Sequence, residues 1–291
     1  NDGIYLDYAA TTPPSARVVK TLSSFAVTHF SNPSALHRAG GATKKLLEES
    51  RKKVASVLGV KAEEIIFTSG ATEGINLAIR GVINDAKKNK VIRPHIVTTA
   101  FEHSAVLETL HDLKREGVSV TYIKPNKEGI IDPKDVMKAV KKETVLVSLM
   151  YVNNEIGTIQ PVRVLGQEIK KYRTKHRSIY PLYHSDGAQA PNYLDLSANT
   201  LGVDLLTLSG SKTYGPKGSG VLFVRRRTPI TPILFGGNQE FGLRPGTEPA
   251  YLYAGFASAL SEASLTRKKE ARRLEKLRND FITKLLSLSK N

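Results

Sequence analysis

Cysteine is absent from all 291 residues. Disulfides, thiolate metal sites and a thiol nucleophile are therefore excluded from within this sequence. No apolar run approaches the roughly 20 residues that cross a bilayer, and the opening NDGIYLDYAATTPP lacks the basic and apolar regions of a signal peptide. A cytoplasmic protein with no membrane partner is expected. The G-x-S-x-G elbow of serine hydrolases does not occur, and the seven histidines show no close ligand pairing. Neither a hydrolase triad nor a metal site is expected. Internal repeats and low-complexity linkers are also missing.

Positive charge is what the chain has in excess, with 43 Lys and Arg against 27 Asp and Glu and a formal net charge of +16. Such a balance raises the question of nucleic acid. The lysines are scattered through predicted helices, however. The one dense basic stretch, TRKKEARRLEKL at 266–277, interleaves glutamates at helical spacing. No RNA-binding aromatic signature accompanies it, so the charge reads as a basic surface and nucleic acid is disfavoured as a partner.

The length allows one large domain with a sizeable core plus part of another. Helical spacing predicts a helix over 41–59 ending on Gly59, a short buried strand over 63–70, and a helix over 72–89. HIVTTA (95–100), VSVTYIK (118–124), TVLVSLMYV (144–152), YPLYHSD (180–186), DLLTLSG (204–210) and GVLFVRR (220–226) bring the strand candidates to seven. Helical segments separate most of them. The alternation predicts an α/β fold, a mainly parallel seven-stranded sheet sandwiched by helices, with ligands at the carboxyl ends of the strands. From Glu248, apart from its first few residues, the sequence reads as one long helix. The expected organisation is an N-terminal arm (1–15), a large domain (16–250) and a long helix (251–291) leading to a truncated small domain.

The residues that carry chemistry follow the predicted strands. SGSKTYGPKGSG (209–220) poses the first question, because glycine and lysine after a strand suggest a nucleotide P-loop. That motif puts Lys directly after its second glycine; here Gly210 and Gly215 have the spacing, but Pro216 intervenes and Lys217 comes one place late. What remains is Lys212 on a glycine-flanked turn, with Lys217 read as a solvated charge. TSGATEG (68–74) opens a helix with free N–H groups and the Thr72 hydroxyl, a natural phosphate seat, although ordinary helix caps look the same. His103 follows HIVTTA, Asn153 and Asn154 follow TVLVSLMYV, and Asp186 closes YPLYHSD shortly before Gln189.

One cofactor would use all of these. Pyridoxal phosphate carries a phosphate, an aromatic ring, a ring nitrogen that must stay protonated, a phenolate oxygen and an aldehyde. Thr72, His103, Asp186, either Asn154 or Gln189, and Lys212 match those demands. Lys212 would bond the aldehyde, and Asp186 would hold the ring nitrogen charged so that the ring acts as an electron sink.

YLDYAATTP (5–13), SNPSALHRAG (31–40), FTSGATEGINLAI (67–79), EHSAV (102–106), VNNEIG (152–157), HSDGAQ (184–189), SGSKTYGPKG (209–218) and RPGTEP (244–249) together resemble, in order, the motifs of the NifS/IscS-like cysteine desulfurases. These are class V aminotransferase-type pyridoxal-phosphate enzymes, and the resemblance covers nearly the whole chain. It implies a homodimer with the cofactor between the large domain and the partner subunit. Lys212 is then the Schiff-base lysine and Asp186 the pyridinium partner, while His103 stacks on the ring and assists proton transfer. Ala71, Thr72, Ser209 and Ser211 line the phosphate. Gln189 and Asn154, rather than Asn153, lie near the phenolate oxygen, and Thr247 reaches the phosphate of the neighbouring subunit.

The implied reaction removes sulfur from L-cysteine to give alanine and a persulfide. The sulfur then passes to an acceptor or an iron–sulfur scaffold protein. Two departures stand against the pattern. Ser211 occupies the place where the family usually has histidine, and no cysteine or substrate-carboxylate arginine of the small domain can be assigned. The chain starts at Asn1 and ends at Asn291, so a fragment with its C-terminal small domain largely absent is expected. The competing expectations are a thiol-independent pyridoxal-phosphate lyase or aminotransferase, and a catalytically inactive desulfurase-like partner protein.

Overall fold

Seven short strands lie between two helical layers in the computed structural model, which describes residues 3–288; six are buried along their whole length, and the edge strand Ser119–Ile123 is half-buried to exposed. In chain order the elements are α1 (Ala16–Thr28), α2 (Arg38–Leu58), β1 (Ile65–Thr68), α3 (Ala71–Lys88), β2 (His95–Thr99), α4 (Ser104–Arg115), β3 (Ser119–Ile123), α5 (Pro133–Ala139), β4 (Thr144–Ser148), α6 (Val162–His176), β5 (Leu182–Asp186), α7 (Ala198–Leu201), β6 (Leu205–Ser209), β7 (Gly220–Val224) and α8 (Ala250–Leu288). Every predicted strand forms. Among the described residues, no helix is both long and apolar enough to cross a membrane.

Boundaries differ from the sequence reading where side chains bond the backbone. Helix α2 starts at Arg38, ahead of the expected residue 41, because His37 Nδ1 accepts from Gly40 N–H at 3.2 Å and caps it. It ends as expected, with Gly59 at φ 66°, a left-handed conformation that glycine adopts without strain. Strand β1 is shorter than the stretch 63–70. Ala62–Glu64 form a 3₁₀ turn in which Glu64 Oε2 accepts from Lys61 N–H at 3.0 Å.

The strand order is β1-β7-β6-β5-β4-β2-β3. Strands β6, β5, β4, β2 and β3 pair in parallel, whereas β7 is antiparallel to both β6 and β1. Because β1 opposes β7 and β7 opposes β6, β1 runs in the same sense as the parallel strands. The ends of β1, β2, β4, β5 and β6 and the start of β7 therefore share one edge.

Alternation along each strand divides the core. Ile65, Phe67, Tyr183, Leu206, Val221 and Phe223 face a layer that includes α2, α6 and the first part of α8. Ile66, Leu182, Leu205, Leu222 and Val224 face α3 and α4. The face toward α3 turns polar along β5 and β6, where His184 bonds Ser148 Oγ at 2.9 Å and Thr207 Oγ1 at 3.0 Å. Burial drives the His184 pKa down to about 3, which keeps the ring neutral. Gly74 on α3 lies against Thr207; a Cβ there would sit 2.9 Å from Thr207 Cγ2. This close approach brings the start of α3 to the shared strand-end edge.

Helix α8 packs on α1 and α2 and buries Tyr253, Phe256, Ala257 and Leu260 in the main core. Phe67 and Tyr253 stack with ring centroids 4.2 Å apart. From Leu265 onward its apolar side chains are largely exposed, Phe281 and Leu288 among them.

Candidate active site

A cavity of about 760 Å³ opens at the shared strand-end edge. Ala71, Thr72, His103, Asn154, Asp186, Gln189, Ser209, Ser211 and Lys212 all line it. Thr247 does not; it lies exposed on the segment that follows Arg244.

One end of the cavity can seat an anion. Helix α3 begins at Ala71 after Gly70, which offers no side-chain cap. Its first N–H groups therefore have no partner within the helix, and the positive end of the helix dipole adds to them. Thr68 Oγ1 fixes the Gly70 carbonyl at 3.0 Å, and Glu73 Oε2 accepts from Ser69 N–H at 2.8 Å. Glu73 in turn pairs with Arg244 Nε at 2.8 Å, so its own charge does not oppose an anion here. Ser209 Oγ and Ser211 Oγ, 3.0 Å apart, present two hydroxyls to the same cavity.

Strand β7 closes this end. The register pairs Thr68 with Gly220, so Lys217, Gly218 and Ser219 run beside the turn before α3. A Cβ on Gly220 would meet Gly70 Cα at 2.6 Å, and that backbone has no room to yield. Gly220→Ala should therefore cost about 1–3 kcal/mol of stability. It should also weaken anion binding at the α3 start, both measurable by urea unfolding with and without inorganic phosphate. The same register puts Lys217 on the cavity wall; it is exposed, and it is also part of the lining.

Lys212 ends a short 3₁₀ turn, Gly210–Lys212, directly after β6. Its Nζ donates to the carbonyl oxygens of Ala9 at 2.9 Å and Ala10 at 2.5 Å. The N-terminal segment is strapped over this turn. Thr12 N–H donates to Ser211 O at 2.8 Å, and Tyr214 N–H donates to Thr12 Oγ1 at 2.8 Å. Burial lowers the Lys212 pKa, against the opposing pull of Asp186 and Asp7. A lowered ammonium pKa raises the fraction of free amine, which is the nucleophilic form.

Asp186, at the end of β5, is buried, and its Oδ1 accepts from Ala188 N–H at 2.9 Å. Burial raises its pKa; that hydrogen bond and the charges of His103 and Lys212 pull the other way. His103 caps α4, its Nδ1 accepting from Ala105 N–H at 3.1 Å. In the neutral ring that bond leaves the proton on Nε2. The two asparagines divide their tasks. Buried Asn153 accepts from the N–H groups of Glu155 and Ile156 at 2.9 and 3.0 Å and donates to Phe101 O at 3.1 Å. Asn154 faces the cavity, its Nδ2 donating to Glu155 Oε1 at 2.7 Å. Gln189 Nε2 donates to Ala9 O at 2.9 Å.

Sequence reasoning missed the carbonyls of Ala9 and Ala10, the Glu73–Arg244 pair and the buried carboxyl of Glu102. The YLDYAATTP, FTSGATEGINLAI, EHSAV and RPGTEP motifs contain all of these residues, but none of them was given a role.

With this geometry the chain matches the class V aminotransferase family over residues 4–290. It is 44% identical to the cysteine desulfurase IscS of Dictyoglomus turgidum, over 96% of this chain and 68% of that protein. It is 42% identical to the mitochondrial cysteine desulfurase of Candida maltosa, over 98% of this chain and 57% of that protein. The chain thus spans little more than half the length of the latter. A solved NifS-like protein superimposes with a TM-score of 0.92 at 37% identity, covering 98% of this chain and 76% of the other.

Proposed function

We propose a function for this chain from its family: it belongs to the class V aminotransferases, among the NifS/IscS-like cysteine desulfurases. The cavity is read as a pyridoxal-phosphate site acting on an amino acid, L-cysteine first. The observation that carries this reading is convergence. An amine with lowered pKa, a buried carboxyl and an uncapped helix start meet in one cavity. Asp186 supports the fit most directly, since a buried carboxyl raised in pKa calls for a cation, and a protonated ring nitrogen supplies one.

In this reading Ala71, Thr72, Ser209 and Ser211 hold the phosphate. Asp186 faces the ring nitrogen, His103 the ring face, and Gln189 and Asn154 the phenolate oxygen. Lys212 carries the covalent attachment. The bound cofactor would supply an electron sink for negative charge at the substrate Cα. Lys212 and His103 hold and move protons beside that carbon, and the strapped N-terminal segment keeps the Lys212 amine in place. Desulfuration also needs a thiolate to take the sulfur, and no side chain of these 291 residues can become one. The acceptor thiol in this account lies outside them. A sulfur-accepting or iron–sulfur scaffold protein is the proposed partner, and Thr247 is proposed to serve the site of a second copy in a homodimer. The missing thiol is also what favours the second reading, a pyridoxal-phosphate lyase or aminotransferase that needs none.

The test is reconstitution. Purified chain given pyridoxal phosphate and then dialysed should retain a visible absorbance band with induced circular dichroism, and L-cysteine should change both. A chain that stays colourless would support an inactive partner protein instead.

A further inference from the structure

Glu102 stands one residue before His103 in the turn between β2 and α4 and takes no part in the reading above. It is buried, with 5% of its surface exposed at the wall of the cavity that His103 also lines. Its Oε1 accepts from Thr99 Oγ1 at 2.8 Å and from Met150 N–H at 3.0 Å. Thr99 ends β2 and Met150 lies just past the end of β4, so one carboxyl oxygen joins the ends of two neighbouring strands. Its other oxygen, Oε2, is buried and has no hydrogen-bond partner among the described residues.

That asymmetry decides the protonation state. An ionised carboxylate would leave half its charge on a buried oxygen with no donor, which costs several kcal/mol. A carboxylic acid fits the same contacts: the carbonyl oxygen takes both donors, and the hydroxyl sits at Oε2. The groups around it reinforce this. Asp186 on β5 repels a second anion, Tyr183 on β5 is a buried phenol, and Glu108 on α4 and Glu155 beyond β4 line the adjoining cavity. His103 on its own turn spends Nδ1 on the helix cap. Burial pushes the Glu102 carboxyl up to about 8.

We propose that Glu102 is a positioning residue, a neutral carboxylic acid that ties the β2–α4 turn to the end of β4. It thereby holds His103 at the ring face and adds no second buried negative charge beside Asp186. The His103 part rests on the pyridoxal-phosphate reading; the protonation and the strand tie do not.

A folded-state carboxyl raised above its unfolded value of 4.5 binds a proton that the unfolded chain has released. Stability from this group therefore falls as pH rises from about 4.5 to about 8 and is level beyond. The unfolding equilibria of the cofactor-free protein and Glu102→Gln, which keeps the acceptor oxygen and carries no charge, should diverge across that window. The ratio of their folding constants should grow in favour of Glu102→Gln, by up to about tenfold per pH unit. At pH 7 the infrared C=O band of a protonated carboxyl should be present in the wild type and missing from Glu102→Gln. With pyridoxal phosphate bound, Glu102→Ala should lose most of the visible circular dichroism, and Glu102→Gln should restore it. A pH-independent ratio, an unchanged infrared band, or Glu102→Gln failing like Glu102→Ala would overturn the proposal. If no variant, wild type included, takes up the cofactor, the pyridoxal-phosphate reading fails, while the infrared and stability measurements still judge Glu102.

Discussion

Asp186→Asn will leave the cofactor bound and slow proton removal from the substrate Cα about a thousandfold, which is roughly 4 kcal/mol at 1.36 kcal/mol per tenfold. The carboxyl sits at the end of β5, buried, with one hydrogen bond from Ala188 and with His103 and Lys212 nearby. In the proposed pyridoxal-phosphate site a carboxylate there would stabilise a proton on the ring nitrogen, and that positive charge would let the ring accept electron density. Asparagine fills the same volume and keeps an acceptor for Ala188, so the fold and the phosphate contacts survive. It cannot stabilise the cationic ring. Stopped-flow absorbance after mixing with L-cysteine measures the step, and a rate equal to that of the wild type would remove Asp186 from its role.

Sulfide release should be absent from the purified chain when no other thiol is present. Binding of L-cysteine should persist, because Lys212, Asp186 and the other cavity residues proposed to hold the cofactor lie within the chain. Turnover needs a thiolate nucleophile, and the composition contains none. Adding a small-molecule thiol or a cysteine-bearing acceptor protein should restore sulfide release. Catalytic sulfide release by the chain alone, free of added thiol and of other desulfurases, would sink the thiol-dependent account and leave the lyase reading in its place.

The sheet was legible because each strand is a short run rich in apolar residues that satisfies two cores, as Ile65, Ile66 and Phe67 do on β1. Which strands are neighbours was not. The placement of β1 beside β7 rests on pairings such as Ile65 with Phe223 and Thr68 with Gly220, far apart in the chain, and local pattern carries no trace of them. Asp186, His103 and Lys212 stood out because polar, chemistry-bearing residues follow directly on apolar strands.

The rest of the site depends on features without a side-chain signature. Lys212 is held by backbone carbonyls of two alanines some 200 residues away. Lys217 joins the cavity wall through the antiparallel register of β7, which glycine and proline nearby do not reveal. Glu102 stands in the EHSAV motif with nothing local to mark it as buried, whereas the fold leaves it only 5% exposed.

Borohydride reduction of the pyridoxal-phosphate-treated protein, followed by peptide mapping, tests the central claim most directly. Both lysines of SGSKTYGPKG line the cavity, but only Lys212 lies on the turn after β6, with its amine held by Ala9 and Ala10 and lowered in pKa by burial. The account predicts a stable pyridoxyl group on Lys212 alone. A label on Lys217, or no label on either lysine, would contradict it.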